Sequence, residues 1–125
     1  MPSIDFTQSA VMQVTPKALD AVSLRHLATM SNIANAGNPL HVARRVQFEE
    51  MLRSLLTQTG PAGRATATAT ATAQLLPRIV LGVGPVAIDQ EVAALARNTL
   101  HYQALLKTLN AELELLSLAA NDGRR

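Results

Sequence analysis

Two stretches of the chain carry a helical rhythm of apolar positions. In the first, Leu19, Val22, Leu27, Met30 and Ile33 recur at mostly helical intervals, with Leu24 and Ala34 widening the stripe. Thr15-Pro16 reads as its start, a hydroxyl cap followed by proline at the first helical position. Asn35-Ala36-Gly37-Asn38-Pro39 reads as its end, since glycine suits a left-handed exit and proline does not continue a helix. The predicted N-terminal helix covers 15–36, preceded by a tail over 1–14 with no clear period that is mobile or ordered by a partner. The last third is more regular. Val92, Thr99, Leu106, Leu113 and Ala120 step by seven, as do Leu95, Tyr102, Leu109 and Leu116, three positions on. That is a coiled-coil seam, and it predicts one long helix over 86–125 with Asp89 as its cap.

The middle segment, 37–85, is less periodic. A short helix is predicted over Val46 to Thr57, with Phe48, Met51/Leu52 and Leu55 on one side and Glu49, Glu50 and Arg53 on the other. The Ala-Thr alternation from Ala65 to Ala73 offers only methyls on one face, so it reads as a flexible or weakly extended linker. Arg78 to Val83 reads as a short extended segment closed by Gly84-Pro85. The predicted fold is all-α within a single domain. Long N- and C-terminal helices pack as an antiparallel, coiled-coil-like hairpin, joined by a short helix and an irregular or extended middle.

Composition agrees with helix. Of 125 residues, 21 are alanine and 19 leucine, while only Phe6, Phe48 and Tyr102 are aromatic. Apolar residues make up 48% and charged ones 16%, so much apolar surface must be buried, and not all of it within one copy. Leu100, Leu105, Leu115 and Leu118 lie beside or beyond the seam, more than one partner helix covers. Without cysteine there is no disulfide, thiolate metal site or cysteine nucleophile. The first residues show no basic region followed by an apolar run, so no Sec-type leader is expected there.

Candidate chemistry is sparse. Gly82-Val83-Gly84-Pro85-Val86-Ala87 has the spacing of a dinucleotide fingerprint, but Pro85 removes a backbone donor and no later strand supplies a ribose-binding acid. A turn feeding a helix explains it better. His26, His41 and His101 are scattered, and the pairs Glu49/Glu50 and Glu112/Glu114 read as solvated helix faces. The arginines of the middle segment lack aromatic interleaving, which argues against nucleic acid. No catalysis, cofactor, metal or small-molecule substrate is expected. Asn32 and Asn35 stand out, because asparagines near a helix end either satisfy free carbonyls locally or hydrogen-bond across to a packed helix and set its register.

Those asparagines belong to Ser31-Asn32-Ile33-Ala34-Asn35-Ala36, which resembles the N-terminal signature of the bacterial flagellar axial proteins. Pro39, Ala43-Arg44, Val46 and Phe48 stand where that signature continues. A second stretch is similar as well: Val86, Ile88-Asp89, Glu91, Leu95-Ala96, Asn98, Leu100 and Tyr102-Gln103-Ala104. Together they most resemble the FlgB family of proximal rod proteins. Asn38 replaces the usual threonine, Leu40-His41-Val42 replaces Gly-Tyr-Lys, and the Ala-Thr linker has no counterpart.

The resemblance implies a structural subunit of the flagellar basal-body rod in the periplasm, exported by the flagellar type III apparatus. It implies self-assembly through terminal helices into a hollow drive shaft and export channel. Its partners would be other copies of itself, other rod proteins, the rod adaptor, the membrane ring and the export gate. The expected assembly residues are Leu19, Val22, Met30, Asn32, Ile33 and Asn35 on the first helix, and Val92, Leu95, Tyr102, Leu106, Leu109, Leu113 and Leu116 on the last. The alternative is a free-standing helical-bundle adaptor or chaperone that binds partner helices.

Overall fold

The computed structural model describes residues 10–59 and 75–124. The Ala-Thr linker and most of the N-terminal tail lie outside them. In chain order the elements are α1 (Ala10–Ala34), β1 (Arg44–Gln47), α2 (Glu49–Thr59), β2 (Arg78–Leu81) and α3 (Ile88–Asp122). The protein is mostly helical but not all-α, because β1 and β2 pair antiparallel with Val46 opposite Ile79.

Helix boundaries differ from the expectations at the start of each helix, and by two or three residues at their ends. α1 begins at Ala10, with Pro16 inside it rather than at its first position. Proline there removes one hydrogen bond, and the helix continues through it because Thr15 before it and Ala18, Ala21 and Val22 after it are buried. α2 starts at Glu49, since Val46 is taken by β1. α3 is capped by Ala87 in extended conformation without a side-chain cap bond, and Asp89 sits in its first turn beside Glu91, where the helix dipole favours acids.

The chain leaves α1 by successive tight turns, Ala36 N to Ile33 O, Asn38 N to Asn35 O and His41 N to Asn38 O, and the Asn38 side chain accepts from Leu40 N. Gly37 is not left-handed. The one positive φ among the described residues is Gly84, at 84°. Gly82 is needed for a different reason: its N–H reaches Ala43 O at 2.6 Å, and a Cβ there would stand 3.2 Å from that oxygen. Both glycines of the fingerprint-like motif are thus spent on joining β2 to α3.

α1 and α3 run antiparallel. Asn32 meets Glu91, Asn98 meets Val22, and Leu105 packs on the cluster that holds Ala18 and Ala21. One side of this helix pair is covered by the β1–α2–β2 layer. Phe48 and Leu75 from that layer are 3% and 4% exposed and join Ala18 and Ala21 in the core, with Met51, Leu52 and Leu105 against them. α3 is ten residues longer than α1 (35 against 25), about 15 Å at helical rise. Since the Asn32–Glu91 contact sets α1's end against α3's start, the surplus lies at the C-terminal end of α3.

Candidate assembly surface

The face of α1 that meets α3 is small and polar rather than leucine-rich. Thr15, Ala18, Val22, Thr29 and Asn32 are all buried, and with Arg25 they alternate in steps of three and four. Small side chains let the helices come close. The Asn98 amide shows how close, donating at 2.9 Å to the backbone carbonyl of Val22.

On α3 the buried line is Glu91, Asn98 and then half-buried Leu105, Glu112 and Ala119, again in steps of seven. On the companion line, Leu95, Leu109 and Leu116 are half-buried, while Tyr102 is 38% exposed. The other predicted line lies one residue off the contact. Val92, Leu106 and Leu113 are exposed, and exposed Thr99 bonds back to Leu95 O of its own helix. The hydrophobic count put the seam on Val92 because Glu91 and Asn98 count as polar. Burial of Glu91 is tolerated because it is paired on both carboxylate oxygens; Asn98 is satisfied through its Nδ2 alone, and its buried Oδ1 has no partner among the described residues.

Asn32 is the junction of the fold. Its side chain is wholly buried, and its Nδ2 donates to Arg44 O at 2.9 Å and to Glu91 Oε2 at 3.2 Å. Its Oδ1 accepts from Arg44 N at 2.9 Å and lies 3.2 Å from His41 Nε2. With the Nε2–H tautomer of His41 as donor, every donor and acceptor of the amide is used. Glu91, 1% exposed, completes the group by pairing with Arg45. One asparagine therefore ties α1 to α3 and to the start of β1. Asn35, expected to act likewise, lies just past α1 and donates locally to Ser31 O in the helix's last turn, which is the local alternative for such an amide.

A second polar tie lies along α1. Arg25 donates to Val46 O at 3.1 Å and grips both carboxylate oxygens of Glu49 at 2.7 Å. The hydrogen bond from Arg25 holds the Glu49 carboxyl below its ordinary range, against a smaller opposing effect of partial burial. Glu49 was expected on a solvated face; it remains half-exposed but fastens α2 to α1. Sequence reasoning missed Arg25, Arg45, Glu91 and Asn98 as contact residues, since none belongs to an apolar series.

Among the described residues, nothing covers the side of the helix pair away from the β1–α2–β2 layer. A groove of about 580 Å³ runs there between the helices, lined by Val22, Leu27, Asn98, Tyr102 and Leu106 among others. Leu27 is 63% exposed and Leu106 37%. Met30, expected in the contact, is 50% exposed, while Leu19 and Ile33 are half-buried and Val22 is 2% exposed. Further along α3, Leu113, Leu115 and Leu118 are 47%, 55% and 61% exposed. Among the described residues no helix is long and apolar enough to cross a membrane, and no group of three metal-binding side chains occurs.

Comparison with family models, with curated proteins and with solved structures finds no match.

Proposed function

We infer that the chain is a structural subunit of the bacterial flagellar basal-body rod, of the FlgB kind. The observation that carries this reading is where the two family-like stretches meet. Asn32 comes from the first, Glu91 and Asn98 from the second, and these three residues tie α1 to α3. The residues that resemble the axial signature are thus the ones that hold the terminal helices together.

The bare apolar side of the pair supports an assembling role over a self-contained one. Leucines left exposed in an isolated chain forgo burial worth about 1.5–3 kcal/mol each. Repeated head-to-tail contacts that do not close generate a tube, which is the form of a rod. The role is mechanical: the subunit transmits torque and lines the export path. Its neighbours in this reading are its own copies, other rod proteins, the rod adaptor, the membrane ring and the export gate, in the periplasmic part of the basal body.

Mass spectrometry of stripped, purified hook–basal bodies from the source organism tests this. The reading expects the chain among the rod proteins. Intact basal bodies without it, in cells that express it, would overturn the reading in favour of a free adaptor.

A further inference from the structure

The junction beneath Asn32 opens on one side into a second, smaller cleft of about 270 Å³. Arg25 and Thr29 of α1 form one wall and Gln90, Glu91, Ala94 and Arg97 of α3 the other, with Arg44, Arg45 and Val46 of β1 between them. Four guanidinium groups therefore border one cleft. Two are already neutralised, Arg25 by Glu49 and Arg45 by Glu91. Arg44 and Arg97 have no carboxylate within ion-pair distance among the described residues, and both are exposed. Thr29 is 4% exposed, lines the same cleft, and its hydroxyl has no hydrogen-bond partner among the described residues. Two uncompensated arginines and an unpaired hydroxyl thus line one space.

We propose that this cleft binds the carboxylate of a glutamate side chain presented by a neighbouring protein. Arginine forks match a carboxylate in shape and charge. The space is below the roughly 300–1,000 Å³ typical of small-molecule sites, so it suits one side chain rather than a free metabolite. Val46 and Ala94 supply apolar wall for the methylenes of that side chain, which inorganic phosphate would leave unused. The carboxylate takes donors from Arg44 and Arg97, and the Thr29 hydroxyl donates the remaining bond. The proposal is independent of the rod reading, since any acidic partner segment meets its terms.

The test follows the side-chain Nε–Hε signals of the full chain by NMR while acetyl-glutamate amide or inorganic phosphate is added at constant ionic strength. The proposal expects the Arg44 and Arg97 signals to move saturably with acetyl-glutamate amide, at lower concentration than with phosphate. The shifts should disappear for the remaining arginines of the cleft in the double variant Arg44→Ala/Arg97→Ala. Both positions are exposed, so the variant's helical circular dichroism and unfolding midpoint should match the parent's. Thr29→Val should weaken glutamate binding several-fold. Absence of saturable shifts, or equal shifts in the double variant, would overturn the proposal; tighter binding of phosphate would overturn the glutamate assignment.

Discussion

The Asn32 amide donates to the Glu91 carboxylate at 3.2 Å, across 59 residues of sequence and with both side chains 1% exposed or less. Around this bond two helices and a strand are fixed by groups that a hydrophobic count would place in water. Burying them is favourable only while every partner is present, so the junction is sensitive to single deletions.

Asn32→Ala removes partners from Glu91 and from both backbone groups of Arg44. Leaving buried polar groups unsatisfied costs about 1–3 kcal/mol. Urea unfolding should show a lowered midpoint and an unfolding free energy reduced by that amount. Asn35→Ala, which breaks one local bond to the last turn of α1, should cost less than Asn32→Ala.

Arg45 and Glu91 should behave asymmetrically. Arg45→Ala strands a buried carboxylate, whereas Arg45→Ala combined with Glu91→Gln leaves no charge to strand. The double variant is therefore expected to be more stable than Arg45→Ala alone at pH 7. A double-mutant cycle by chemical denaturation measures this, and equal stability of the two variants would contradict the assigned pairing.

Arg25 lowers the Glu49 pKa in the folded chain. A carboxylate with a depressed folded pKa adds stability above its unfolded value of about 4.5, and that contribution is lost as pH falls through the folded pKa. The Glu49 side chain is 51% exposed, so solvent and salt screen the pair and hold its worth to at most about 1 kcal/mol. Wild type should exceed Glu49→Gln in unfolding midpoint at pH 7, and the difference should shrink in acid below pH 4.5 and in high salt.

Two glycines should respond in opposite directions. Gly84→Ala places a Cβ at φ 84°, a strain of about 1–2 kcal/mol. Gly37→Ala meets nothing within 4 Å and has no positive φ, so it should be neutral or stabilising by up to about 1 kcal/mol through the unfolded chain. Thermal unfolding of both variants checks the pair of signs.

The long helices and β2 were legible because their apolar positions have a period or form a run. The register of α3 against α1 was not. Val92, Leu106 and Leu113 have the right spacing but stand one residue from the true contact, which is led by Glu91 and Asn98. Apolar periodicity reports which side is greasy, and here the greasier side faces outward. β1 escaped notice because Arg44-Arg45-Val46-Gln47 has one apolar residue and pairs with a strand more than thirty residues later. The dual reading of the asparagines divided between them: Asn32 bonds across to another helix and Asn35 back to the carbonyl of Ser31 at the end of α1.

In the proposed rod subunit, the apolar side of the helix pair that no described residue covers is where the chain would join the rod. Leu27→Asp probes it most directly, because Leu27 borders the groove and is 63% exposed, so the folded chain should stay within about 1 kcal/mol of wild type. The decisive measurement is the amount of the Leu27→Asp chain in purified basal bodies, relative to wild type expressed at the same level. The account predicts a folded, exported chain that is missing from the rod, with motility lost. Incorporation at the wild-type level would contradict it.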